Sequence, residues 1–290
     1  MKRVAIACLL PLLSAMLVQC QSSPKNPALA PISAQEQPAE VGSDAEIIDF
    51  LSGYLERLAE DHNFAGVVLF ARGQAVLFHR SYGLASRSFN VQNTPDTRFN
   101  LASASKMFTA VAIAKLVEEG RLAYSDPIGM YLDTDWVPQE VGATIQIGHL
   151  MSHTSGLGDY WEDWDFYANT IRELVDYRPL MSYELAFEPG TDYLYSNSGY
   201  LLLGAIIESV TGDTYYDHIQ RVILDPCGMA DSGFFELDIP HPNLATGYYE
   251  DDEHNGELRS NALFLGVRGA SDGGAWATAS DMHRFVLALG

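Results

Sequence analysis

Two short runs, Gly66 to Phe70 and Ala75 to His79, are rich in β-branched and aromatic residues and are separated by Arg72-Gly73-Gln74. Runs of that length around a glycine turn read as an antiparallel hairpin. A lone hairpin leaves an apolar face and two edges open, so the rest of the chain has to cover it. The residues just before it supply one cover. Ser43-Asp44-Ala45-Glu46 is a capping-box pattern, and Ile47, Phe50, Leu51, Tyr54, Leu55 and Leu58 follow at helical spacing. A helix with one apolar face, followed by two antiparallel strands, predicts helix packed on sheet.

Turn signals around Asn93-Thr94-Pro95-Asp96 precede a segment from Ser103 to Glu119 that reads as a helix, with Phe108, Val111, Ala112 and Leu116 on its buried side and Gly120 at its end. From there to roughly Gly256 the pattern is mainly helical with long polar connections, including Ile171 to Leu180 and Leu201 to Val210. Thr278-Ala279-Ser280-Asp281 opens a last helix through a second capping-box pattern, and the sequence stops soon after, at Gly290. The expected class is α/β of the α+β kind: an antiparallel sheet flanked by helices, with a large helical lobe inserted over roughly 120–256. With 47% hydrophobic and 11% aromatic residues in 290, residues 43–290 can bury a substantial core.

The first 42 residues read differently. Met1-Lys2-Arg3 is a positive start, and Val4 to Val18 is an apolar run interrupted by Pro11 and Ser14, too short for a membrane span. That is the pattern of an export signal, residues 1–20. Leu17-Val18-Gln19-Cys20 resembles a bacterial lipoprotein box, in which Cys20 becomes the lipid-bearing first residue. Gln19 stands where a small residue is expected, so plain secretory cleavage is the other reading. Residues 21–42 hold Pro24, Pro27, Pro31 and Pro38 and no aromatic residue, and are expected to be a disordered tether. A net charge of −21 with only 17 Lys and Arg opposes nucleic-acid binding. The three cysteines, Cys8, Cys20 and Cys227, form no ligand pair, so neither a disulfide framework nor a structural metal is expected, and no cofactor is implied.

Chemistry is suggested first by Ser103 and Lys106. A hydroxyl is a poor nucleophile until a base takes its proton, and a lysine can do so when its charged form is disfavoured. Three residues apart at a helix start, the two lie on one face within a turn of each other, where the helix end favours a developing oxyanion. The spacing alone is weak evidence. Roughly one chance Ser-x-x-Lys is expected in a chain of this length, and Ser22 to Lys25 is one.

Context raises the odds. Phe99-Asn100-Leu101-Ala102-Ser103-Ala104-Ser105-Lys106, followed by Phe108-Thr109-Ala110, resembles the first motif of the class C beta-lactamase-like family within the beta-lactamase and penicillin-binding-protein superfamily. His153-Thr154-Ser155-Gly156-Leu157 resembles a further signature of that family. Pro189-Gly190 with Tyr195-Ser196-Asn197 resembles its second motif, Pro226-Cys227-Gly228-Met229 its Pro-Leu-Gly-Met turn, and Gly273-Gly274 through Thr278 and Asp281 its late helix start. The resemblance runs from about Phe64 to Gly290. It implies a beta-lactamase/transpeptidase-like fold and a serine hydrolase that forms a Ser103 ester with a beta-lactam, a D-amino-acid peptide or a carboxylic ester. In that reading Tyr195 joins Lys106 in moving protons, and Asn197 orients the substrate amide or ester. Tyr167-Ala168-Asn169 is a second Tyr-x-Asn, but only Tyr195 follows a Pro-Gly turn, with Asn197 placed to cap the helix that begins near Tyr200. A Ser-His-Asp triad through His153 and Ser155 lacks a Gly-x-Ser-x-Gly elbow, so His153 is read as a structural hydrogen-bonding residue. Trp161, Trp164 and Tyr167 are candidates for a substrate entrance or for buried rings of a surface loop.

The resemblance also implies a third motif, Lys or His then Thr or Ser then Gly, on a strand beyond the late helix. His254-Asn255-Gly256 precedes that helix and is assigned to a loop. The expectation is that the terminal strands are missing and that the chain is either a fragment of a longer reading frame or a non-catalytic binding protein that keeps the lobe.

Overall fold

The computed structural model describes residues 42–61, 64–161, 170–251 and 254–290. The chain begins with helix α1, Asp44–Glu60, and both halves of the capping box form: the Ser43 Oγ accepts the Glu46 N–H, and the Glu46 carboxylate accepts the Ser43 N–H at 2.6 Å. Strands β1, Gly66–Arg72, and β2, Ala75–Tyr82, pair antiparallel from Gly66 opposite Tyr82 to Arg72 opposite Ala75. Gly73 turns the hairpin at a φ of 60°, a conformation that costs an L side chain strain. A bulge between Phe70 and Ala71 shifts the register. Helix α1 covers β2, as the apolar spacing of its residues requires.

Strands β3, Leu84–Ser86, and β4, Val91–Gln92, form a small pair, and β5, Phe99–Asn100, leads into the helical part. The helix read from Ser103 begins instead as a 3-10 turn over Ala102–Ser105 and becomes α-helical only as α2, Lys106–Glu118. Short helices α3, Gln139–Thr144, and α4, Ile147–Met151, follow, and Leu174–Leu180 is a 3-10 segment. Helix α5, Asn197–Thr211, is apolar all round, with Leu201, Leu202, Leu203, Ile206 and Ile207 fully buried. Such a helix belongs at the centre of a lobe, and α5 packs on α2, on α4 and on α6, Tyr215–Ile219. At Gly204 a Cβ would overlap the side chains of Ser271 and Leu174, so α5 can approach the segment before the late Gly-Gly pair only because that position has no side chain.

The helical lobe read to Gly256 ends differently. Strands β6, Tyr248–Asp251, and β7, Glu257–Ser260, make a hairpin, and His254 and Gly256 sit in its turn, as a loop reading requires. Strand β8, Trp276–Ala277, pairs with β5, and α7, Ala279–Ala288, closes the described chain. Thr278 caps α7 by accepting the Asp281 N–H at 3.1 Å. The Asp281 carboxylate does not return to complete a box. It accepts from the Asp231 N–H and the Ser232 hydroxyl, tying α7 to the loop after α6. No helix among the described residues is long and apolar enough to cross a membrane.

Candidate active site

Ser103 lies where β5 turns into α2. Ala102, just before it, takes the left-handed region at φ 44°, unusual for a residue with a Cβ and held only where neighbours fix it. Three contacts do so: the Asn100 Oδ1 accepts the Ala102 N–H at 2.8 Å, and the Ala102 carbonyl accepts from the Gly274 N–H at 3.1 Å and from the Ser105 hydroxyl at 2.8 Å. The Gly-Gly pair is explained by this packing. Gly274 has φ 86°, and a side chain there would run into the backbone of Gly269 at 2.7 Å, while a Cβ on Gly273 would press on the Ala102 carbonyl. The late Gly-Gly motif is therefore a clamp on the backbone that presents Ser103.

The Ser103 Oγ accepts a hydrogen bond from the Tyr195 hydroxyl at 2.8 Å and lies 3.3 Å from the Lys106 Nζ. Lys106 is buried, 6% exposed. Its Nζ donates to the Asn197 Oδ1 at 2.6 Å and to the Asp272 carbonyl, and sits over the rings of Tyr195, 4.9 Å from the centroid, and Tyr200, 5.4 Å. Two acceptors besides Ser103 leave room for either protonation state. An ammonium donates to all three neighbours; a neutral amine donates to Asn197 and Asp272 and turns its lone pair to the Ser103 hydroxyl. Lys106 and Tyr195 thus meet at the Ser103 oxygen, with Asn197 one contact further on at the lysine, and the four residues come from two stretches of chain. Cys20, Trp164 and Tyr167 lie outside the described residues.

Asn197 departs from its sequence reading. The cap of α5 is Ser196, whose Oγ accepts the Gly199 N–H at 3.0 Å, and Asn197 is the first helical residue, its amide free to face the site. The amide is oriented by Asp159: the Asp159 Oδ2 accepts from the Asn197 Nδ2 at 2.8 Å, which leaves the Oδ1 facing Lys106. Burial raises the Asp159 carboxyl above the usual range. A second acidic residue, Asp272, sits buried beside Lys106, its carboxyl also pushed up by burial and accepting from the Tyr160 hydroxyl at 2.7 Å. Neither acid was singled out from the sequence. Asp159 lies in a run with Glu162, Asp163 and Asp165 in a chain of net charge −21, where one more acid carries no signal.

His153 is structural, as read. Its ring stacks on Tyr195 with centroids 4.5 Å apart and on Tyr200 at 5.2 Å, and its Nδ1 accepts the Ser196 N–H at 3.2 Å. An acceptor nitrogen carries no proton, and burial, helped by the Lys106 charge, lowers the imidazole to about 4. Ser155 is buried and accepts from the Leu157 N–H, not from His153. Trp161 is 48% exposed and lines a cleft of about 160 Å³ beside Ser103, which fits the entrance reading for that ring.

A strained turn before Ser103, a buried lysine and a tyrosine on one serine, within helices around a hairpin, are the features of a beta-lactamase/transpeptidase fold. Residues 51–290 match the Beta-lactamase family, and the chain belongs to it. Penicillin-binding protein 4* of Bacillus subtilis is 35% identical over 259 residues, which cover 82% of this chain and 55% of that protein. The putative penicillin-binding protein PbpX of the same organism is 32% identical, over 82% of this chain and 57% of its own. The chain thus spans about half the length of these curated relatives. A penicillin binding protein from Bacillus halodurans superposes with a TM-score of 0.72 at 36% identity, over 81% of this chain and 72% of that one. A class C beta-lactamase mutant shares the fold at a TM-score of 0.67 and 24% identity, over 85% and 66% of the two chains. The superfamily consists of serine hydrolases.

Proposed function

We propose that this chain is a serine acyl hydrolase that works through an ester on Ser103. One observation supports this above the others: a single hydroxyl oxygen lies within reach of both a buried lysine amine and a tyrosine hydroxyl. In the accepting form, the Lys106 amine takes the Ser103 proton as Oγ bonds to the substrate carbonyl carbon. The positive end of the helix start stabilises the oxyanion. When the carbonyl re-forms, the bond to the leaving nitrogen or oxygen breaks, and the leaving atom takes a proton from Tyr195, which is restored from Lys106. Water then repeats the sequence on the Ser103 ester, releasing the acid and returning the serine. Asn197 supplies an amide at the cleft wall that orients the substrate amide or ester.

The substrate is a beta-lactam, a D-amino-acid peptide or a carboxylic ester, and the names of the penicillin-binding relatives favour testing the first. Export through residues 1–20, with Cys20 as a lipid anchor in the bacterial periplasm and residues 21–42 as its tether, is part of the same proposal. Fluorescent penicillin and a fluorophosphonate should both label the parent and not Ser103→Ala. Labelling of that variant at parental strength would remove Ser103 as the nucleophile, and no labelling of the parent by either probe would leave a non-catalytic binding protein.

A further inference from the structure

The cleft beside Ser103 is apolar where an acyl group would lie. Trp161, Leu237, Phe264, Leu265 and Trp276 line it, with Asn197 and the clamp glycines at its base. At about 160 Å³ it is smaller than the roughly 300–1,000 Å³ that encloses a whole drug-sized ligand, so it takes one arm of a substrate. The rim continues the pattern. Phe264 is 49% exposed and Leu263, next to it in the chain, 88%.

Charge argues in the same direction. An acyl group that itself carries a carboxylate needs a cation in its pocket to receive it. Among the described residues that line the cleft the cation is Arg268, and its guanidinium is already used: Nε donates to the Phe234 carbonyl at 3.0 Å, a terminal nitrogen faces the Glu173 carboxylate at 3.5 Å, and the group stacks 3.4 Å from the centroid of Tyr216. Lys106 is held by Asn197 and the Asp272 carbonyl.

Resting on the acyl-hydrolase reading above, we infer that this cleft is an acyl pocket for an uncharged, apolar acyl group, so that the preferred substrates are neutral esters or amides with an aliphatic chain or ring of a few carbons. The Ser103 ester that forms then carries that group against Leu237, Leu265 and Trp276, while the alcohol or amine leaves toward solvent with its proton.

The test uses the full chain and four p-nitrophenyl esters, acetate, butyrate, hexanoate and hemisuccinate, each rate divided by that ester's hydroxide-catalysed rate, with fluorophosphonate labelling of Ser103 alongside. Two buried methylenes should raise kcat/KM for butyrate over acetate roughly tenfold. Hexanoate should equal or exceed butyrate, and hemisuccinate should fall at least tenfold below it. Leu265→Glu, which sets a charge in the wall, should bring the butyrate to acetate ratio near one. Acetate turned over as fast as butyrate, hemisuccinate preferred to butyrate, or a ratio unchanged in Leu265→Glu, with Ser103 still labelled, would overturn the pocket and leave the hydrolase standing; hemisuccinate preference would make Arg268 the receiving cation. No labelling and no ester turnover would overturn both.

Discussion

Asp159→Ala tests whether the proposed site depends on a residue that touches Asn197 and not Ser103. The Asp159 carboxylate accepts from the Asn197 Nδ2 at 2.8 Å and from the Asn197 N–H at 3.4 Å, and this fixes which end of the amide meets Lys106. Without it the amide can turn, presenting an NH₂ to the lysine and removing the 2.6 Å acceptor that holds Nζ against Ser103. A hydrogen bond to a charged group contributes about 1.5–3 kcal/mol. Asp159 is half-buried beside the cleft, so water can enter the vacated space and satisfy the freed donor, which places the loss in the lower part of that range. The expected result is a fall in kcat of roughly 10- to 30-fold at 1.4 kcal/mol per decade, with KM within about twofold and a melting shift of no more than about 2–4 °C. Asp159→Asn keeps an acceptor oxygen in place and should recover most of the rate. Single-turnover acylation by a fluorescent penicillin or a p-nitrophenyl ester reads the step directly. If Asp159→Ala acylates within twofold of the parent, or if Asp159→Asn is as damaged as Asp159→Ala, the orienting role is wrong.

Lys106→Arg should lose acylation by at least a hundredfold while melting within a few degrees of the parent, because a guanidinium stays charged at any accessible pH and cannot take the Ser103 proton; near-parental acylation would remove Lys106 from the mechanism. His153 is held near 4 in the folded chain against 6.5 when unfolded, so the unfolded state alone takes up a proton between those values. The stability this neutral ring contributes is complete above about pH 6.5 and is lost as the pH falls toward 4. The urea midpoint of the parent should therefore drop further between pH 7 and pH 4.5 than that of His153→Phe, and a constant gap between the two would refute it. Labelling with palmitate in a bacterial host should mark the parent and not Cys20→Ser; a secreted, unlabelled parent would leave only the export signal.

What could be read in the sequence was what is encoded locally. The capping box at Ser43, the hairpin around Gly73 and the serine and lysine one turn apart are each set within a few residues, where the rules for caps, strands and helix faces apply. Choosing Tyr195 over Tyr167 also rested on local grammar, the Pro-Gly turn before it, and the hydroxyl reaches Ser103 across 92 positions. The same grammar misled at Asn197. A cap was the expected use for an asparagine at a helix start, but Ser196 stands one position earlier and caps more simply, which frees the Asn197 amide for Lys106. Asp159 and Asp272 were beyond reach for a different reason. Their partners lie 38 and 112 positions away, and an acid is conspicuous only once it is seen to be buried. A buried carboxyl is costly unless its lone pairs are taken. These two are, by an amide that touches the lysine and by a tyrosine at the cleft wall, so the burial of each acid is offset by a hydrogen bond that also fixes a residue one contact away from Lys106 or the cleft.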